Sequence, residues 1–257
     1  MSTYEPAVPP PPPPPASVLT DSSLGRLVGV LVSPVQTFRS IARRPTWIAP
    51  LLVLAILGCG LGVLVAQRID YSESVRKRME QQGVKASDEQ VERSMQLIKK
   101  FAPYGAAGFA LVVFPALYLL VAAVFWVAFK MVGGETSYKT SLSVLLHGSL
   151  PTGIAALAAI PIVWGRASLS PEEMQRTGGV LLSSAAAFAP EGAGPALLAL
   201  LGSLDVFIFW CLVLWVIGYQ EATGVSRKLS ASVVVILWVL FVAGKVGFRV
   251  LAASFGG

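Results

Sequence analysis

Pro103–Phe129 reads PYGAAGFALVVFPALYLLVAAVFWVAF, and no Asp, Glu, Lys or Arg interrupts it. A helix rises about 1.5 Å per residue and a bilayer's hydrocarbon core is about 30 Å thick, so roughly 20 mostly apolar residues cross it. A helix that is apolar on every side must be surrounded by protein or by lipid. Working outward from this stretch, four others qualify or nearly do: Ile48–Ala66, Leu142–Trp164, Ser203–Tyr219 and Ala231–Ala252. Of the 257 residues, 54% are hydrophobic and only 13% charged, against roughly 25% charged in a soluble domain. A chain this short cannot bury five such helices on all faces without lipid. The fold class that follows is all-α: a polytopic transmembrane helix bundle of about five spans, with interfacial amphipathic helices.

The chain divides into three parts. Residues 1–20 form a disordered, proline-rich tail with seven consecutive prolines, Pro9–Pro15. Such a run adopts an extended polyproline II helix and cannot pack a core. It reads as a stiff spacer, with a docking site for a proline-binding module as the alternative. Residues 21–46 are the amphipathic part, and residues 47–257 the five-span membrane domain. The tail lacks the charged-then-apolar pattern of a cleavable signal, so the run at Ile48 is expected to insert the protein.

In the amphipathic part, Leu24, Leu27, Val28, Leu31, Val35, Phe38, Ile41 and Ala42 recur at three- and four-residue steps, with Arg26, Arg39, Arg43 and Arg44 between them. Ser33-Pro34-Val35-Gln36 breaks the run into two helices. Ser33 suits the N-cap, Pro34 the first helical position, and Gln36 can close a capping box. Trp47 then opens the first span, where indoles favour the headgroup boundary. Basic helices with one apolar face beside a membrane anchor are expected to lie flat in the interface; the alternative is that this face packs on the bundle. Arg39, Arg43, Arg44 and Trp47 are therefore the membrane-interface candidates.

The connection from Gln67 to Ala102 carries eight Lys or Arg and six acidic residues. It reads as a hairpin of two short helices outside the hydrocarbon, punctuated by Gly83, with Ser87-Asp88-Glu89-Gln90 as a capping box and Val91, Met95 and Ile98 as a thin apolar stripe. After the third span, Ser170-Pro171-Glu172-Glu173 marks another helix start, Gly178-Gly179 a break, and Val180–Phe188 an interfacial or re-entrant piece too short to span. If the N-terminus is cytoplasmic, its side carries eight Lys or Arg and the other twelve. That count slightly opposes the choice, while the arginines just before the first span favour it.

Polar groups at membrane depth are costly and default to functional candidates. His147 lies just before Pro151, Asp205 near the start of the fourth span, and Lys245 and Arg249 near the end of the fifth. Asp205 and Lys245 are placed to neutralise one another if those ends meet. A proton or ion path is one reading of the set; a packing lock with snorkelling cations is the other, and the shortage of acids at depth favours it. No catalytic, cofactor-binding or metal-ligating set is found. One histidine excludes a two-histidine zinc helix, and no paired carboxylates lie within a span. Cys59 and Cys211 read as small apolar packing residues. Gly58 with Gly62 and Ala155 with Ala159 form small-xxx-small pairs for close helix approach. The net charge of +6 belongs to membrane edges, where it matches anionic headgroups, and not to nucleic acid. The lipid bilayer is the expected partner, with other membrane proteins or a second copy of the chain beside it.

The block Ser33-Pro34-Val35-Gln36-Thr37-Phe38-Arg39-Ser40-Ile41-Ala42-Arg43-Arg44-Pro45-Thr46-Trp47 resembles the segment that leads into the first span of bacterial Yip-family membrane proteins. Gly133-Gly134 before Tyr138-Lys139, Leu150-Pro151, Ser203-Leu204-Asp205-Val206-Phe207 and Lys245-Val246-Gly247 agree with it. The likeness covers roughly residues 25–252. It implies a cytoplasmic N-terminus, five helices, a C-terminus on the far side and a place in the bacterial inner membrane, and it brings no catalytic residues. Eukaryotic relatives are linked to vesicle traffic and Rab GTPases, a role not carried over to a chain of bacterial pattern.

Overall fold

The computed structural model describes residues 22–81, 83 and 87–255; the proline run lies outside them. Helices follow one another as α1 (Ser23–Val32), α2 (Pro34–Arg43), α3 (Ile48–Arg68), α4 (Ser72–Gln81), α5 (Asp88–Gly108), α6 (Phe114–Met131), α7 (Tyr138–Gly148), α8 (Leu150–Gly165), α9 (Pro171–Thr177), α10 (Pro195–Leu201), α11 (Val206–Thr223) and α12 (Arg227–Phe255). No strand occurs among the described residues. Five helical units are long and apolar enough to cross a membrane: Ile48–Arg68, Asp88–Met131, Tyr138–Gly165, Val206–Thr223 and Arg227–Ala252. We call the side bearing α1 and α2 the near side; the chain then places α4, α9 and α10 on the far side.

Burial ranks the spans. The apolar window of the third is 67% buried, against 17% for the first two and 22% for the fifth. The third span is the post around which the others stand, and α3, α5, α6 and α12 leave most of their surface to lipid. Its composition fits that place. Ser141, Ser143 and Ser149 are buried, and small hydroxyl residues let helix backbones approach in a setting where apolar contact alone gives no advantage over lipid.

Local chemistry explains two interruptions. Pro151 has no N–H to continue the helix, so the third span breaks into α7 and α8 at Ser149, whose Oγ donates to Leu145 O (2.8 Å). In the second span a π turn, Phe109–Val113, links α5 to α6. Pro115 sits just beyond it and denies the Leu111 carbonyl its usual donor, a known cause of such bulges.

Several expectations need correction. The helix begun at Asp88 does not stop before the membrane; it runs on through the second span to Met131, because Pro103 lies inside it without ending it. The capping box at its start is present, with Gln90 N donating to Ser87 Oγ (3.3 Å) and Ser87 N to Gln90 Oε1 (3.2 Å). The box at Ser33 does not form. Ser33 occupies the cap position without a side-chain bond, and Thr37 Oγ1 donates to its carbonyl instead (2.9 Å). The fourth span starts at Val206 and extends to Thr223. Residues 180–188 form no re-entrant helix, only a 3-10 turn at Ala185–Phe188.

Candidate functional site

On the near side, α2 lies across α11 and α7. Phe38 and Ile41 are fully buried, and Phe38 fits a notch left by Gly218. A Cβ there would stand 2.6 Å from Val144 Cγ1 and 2.9 Å from Phe38 Cε1. Arg39 closes the contact by donating to Glu221 Oε2 at 2.7 Å, with Arg39 59% exposed and Glu221 11%. Of the two readings of the second amphipathic helix, packing on the bundle is therefore the one seen for α2. Arg43 and Arg44 remain exposed, and Trp47 packs half-buried against the core at the head of α3.

The face of α1 is also unlike its periodicity. Arg26, Gly29 and Val30 are buried, while Leu24, Val28 and Val32 form an exposed apolar stripe. In lipid the outward side of a helix is as apolar as the inward one, so the stripe no longer marks the core. Arg26, which the sequence places among surface cations, holds the corner between α1, α2 and α3. It donates to Arg44 O (2.7 Å), Thr46 Oγ1 (3.2 Å) and Ser40 Oγ (3.0 Å). Nothing in its spacing distinguishes it. The one available signal was Gly29, three residues on: a Cβ there would meet Thr37 Oγ1 at 2.6 Å, so α1 and α2 approach closely at this point because the side chain is absent.

Within the bundle, Tyr219 stacks on Phe125 and Phe129 (ring centroids 5.1 and 4.4 Å), and its hydroxyl lies 2.8 Å from Ser141 Oγ. Trp215 covers Gly148 and donates Nε1–H to Leu145 O at 3.0 Å. His147 is fully buried in this region. Its Nδ1 lies 2.8 Å from Ser143 O; a carbonyl can only accept, so Nδ1 carries the proton. Nε2 has no hydrogen-bond partner.

On the far side, Asp205 caps α11, accepting from Phe207 N (2.8 Å) and Ile208 N (3.2 Å). The hydroxyl of Ser183 donates to its other oxygen, and Ala185 N donates to Leu204 O (2.9 Å). The loop before the 3-10 turn is thereby strapped over the mouth of the fourth span. Lys245 does not pair with Asp205; its Nζ donates to Ser203 Oγ (3.0 Å), because the helix cap already satisfies the carboxylate. His147, Asp205 and Lys245 are not brought together. Lys245 and Arg249 instead line a cleft of about 420 Å³ between α9, α10 and α12. The acids of α9 are engaged elsewhere. Glu173 accepts from Arg166 (3.2 Å), and Glu172 accepts from Ser170 and Ser74. Its own backbone N–H and the Ser170 hydroxyl hold the Glu172 carboxyl below the usual carboxylate range.

The Yip1 domain profile matches residues 28–247, a stretch that takes in α2, the first four spans, the far-side loops and most of the fifth span, Lys245 included. The protein of Bacillus subtilis (strain 168) named membrane protein YknW is 32% identical over 216 residues, covering 84% of this chain and 86% of that one. No solved structure matches the chain. The docked pair α1–α2, the broken central span and the five-helix bundle are thus the structure of an integral membrane protein that belongs to the Yip1 domain family.

Proposed function

We propose that the protein is a non-enzymatic organiser of the bacterial inner membrane, with its N-terminal side in the cytoplasm. It holds lipid and partner membrane proteins against the edges of its bundle and moves no solute through it. The observation that carries this reading is the engagement of its polar side chains. Asp205 caps a helix, Lys245 rests on Ser203, Arg39 is paired with Glu221 and Arg26 ties a corner. What faces outward on the near side is the exposed pair Arg43 and Arg44 and the apolar stripe of α1, the combination that an interfacial headgroup contact uses. The lightly buried first, second and fifth spans offer broad apolar faces to neighbouring membrane helices.

The test compares two variants in native membranes. Arg43→Glu with Arg44→Glu is expected to displace the protein, or to release its crosslinked partners, while Asp205→Asn changes neither, since Asn caps helices about as well as Asp. A solute or lipid flux in reconstituted vesicles that Asp205→Asn abolishes would replace this reading with that of a small transporter or lipid-handling channel.

A further inference from the structure

We propose that the far-side cleft between α9, α10 and α12 binds a phosphate-bearing anion, with Lys245 and Arg249 as its two cationic anchors and an anionic phospholipid headgroup as its source. Four observations converge on it. The cleft holds about 420 Å³, and the only charged side chains lining it are these two, both positive. They stand four residues apart on α12, so both reach the same face. Neither forms an ion pair among the described residues; Asp205 is engaged in its cap, Glu173 on Arg166 and Glu172 on Ser170, and Glu191, in the loop before α10, is exposed and does not line the cleft.

Lys245 is also held in place. Its Nζ donates to Ser203 Oγ at 3.0 Å, and that hydroxyl donates to Ala199 O at 2.8 Å. One ammonium hydrogen is thereby fixed on the wall and the other two remain for a ligand. The opposite wall is made open by glycine. Gly179, with φ of +136°, has nothing within 4 Å of where a Cβ would stand, so the side of the cleft formed by the turn after α9 carries no side chain there. A phosphate offers several acceptor oxygens, and the guanidinium fork of Arg249 matches two of them.

The surroundings select the lipid as the source. Phe248, Val250 and Leu251 beside the two cations are exposed apolar side chains on α12, and Leu182 and Phe188 add exposed apolar surface on the loop between α9 and α10. A headgroup seated between Lys245 and Arg249 leaves its acyl chains along that surface.

The full-length protein in nanodiscs of phosphatidylcholine, with increasing phosphatidylglycerol, provides the test, with bound lipid counted by native mass spectrometry. Retention of phosphatidylglycerol over phosphatidylcholine is expected. Lys245→Gln with Arg249→Gln is expected to weaken it by about thirtyfold, the scale of removing two cations from an anionic surface. Lys245→Arg, which keeps the charge, is expected to retain the preference and shows that the double variant did not merely unfold. Arg43→Gln with Arg44→Gln removes any near-side share of lipid retention, and in that background Lys245→Gln with Arg249→Gln is still expected to weaken it, so the cleft and the near-side reading stand or fall separately. A parallel arm titrates inorganic phosphate into detergent-solubilised protein; saturable binding there that needs Lys245 and Arg249, without phosphatidylglycerol preference, supports the anion site and reassigns its source to a free phosphate. Equal lipid retention in the wild type and the double variant, with no phosphate binding that depends on these residues, overturns the proposal.

Discussion

Arg26 shows what a single side chain can do at a place where the chain turns twice in about 25 residues. It is 4% exposed, and its guanidinium bonds reach Ser40 in α2, and Arg44 and Thr46 in the link to α3. Removing it takes the donor from three part-buried acceptors at once, and a buried polar group left without its partner costs about 1–3 kcal/mol. Arg26→Met is therefore expected to destabilise the protein by about 3 kcal/mol, measured by unfolding in mixed micelles. Arg26→Lys is expected to recover less than half, because one ammonium cannot reproduce the fork. This residue was not legible in the sequence. A basic residue among apolar positions reads as an exposed one, and only its partners, 14 to 20 residues away, give it a buried role. Asp205 was found as a candidate and given the wrong partner, since a helix cap consists of bonds to the backbone that spacing between side chains cannot show. His147 was found as a buried polar group; that it bonds the Ser143 carbonyl one turn back is a local pattern compatible with any buried helix.

Among the elements, α2 depends most on one absent side chain. Gly218→Ala would place a methyl group 2.6 Å from Val144 Cγ1 and within 3.0 Å of the Phe38 ring. Overpacking of this kind costs about 1–3 kcal/mol. The expected outcome is a looser α2, read as faster hydrogen exchange across Pro34–Arg43 with the exchange of α3 unchanged. The spans themselves were legible because uniform hydropathy over bilayer length is a signal with little competition. Their ends were less so. The second span and the helix Asp88–Gly108 form one rod because Pro103 lies inside the helix without ending it, and the abrupt change from charged to apolar residues at the crossing from water to lipid marks no break in the helix. The caps at Ser87 and Ser170 were legible from spacing; the expected one at Ser33 did not form, and the Ser33 carbonyl accepts from the Thr37 hydroxyl.

For the whole molecule, the distribution of charge separates the two sides more sharply than a count of cations. The near side of the described chain has eight Lys or Arg (26, 39, 43, 44, 130, 139, 227 and 228) and two acids, Glu135 and Glu221. On the far side acids are interspersed with the cations, and four ion pairs form among the described residues: Arg76–Asp88, Lys77–Glu73, Arg93–Glu89 and Arg166–Glu173. A single-cysteine reporter at Ser226, in a background with Cys59 and Cys211 replaced, is expected to resist a membrane-impermeant maleimide in intact cells, whereas one at Ser87 reacts. The opposite labelling pattern would invert the topology proposed here. Counting in the sequence could not decide this because acids count little in the orientation rule, and the orientation that the family likeness implies is the one this labelling tests.

The helical unit from Asp88 to Met131 is 44 residues long, roughly 66 Å at about 1.5 Å per residue, twice what the hydrocarbon needs. One rigid rod thus stands partly in water and partly in oil. Its outer end therefore stands well clear of the apolar layer. The π turn at Phe109–Val113 interrupts the regular helical bonding within the apolar stretch and is the place where this rod bends most easily.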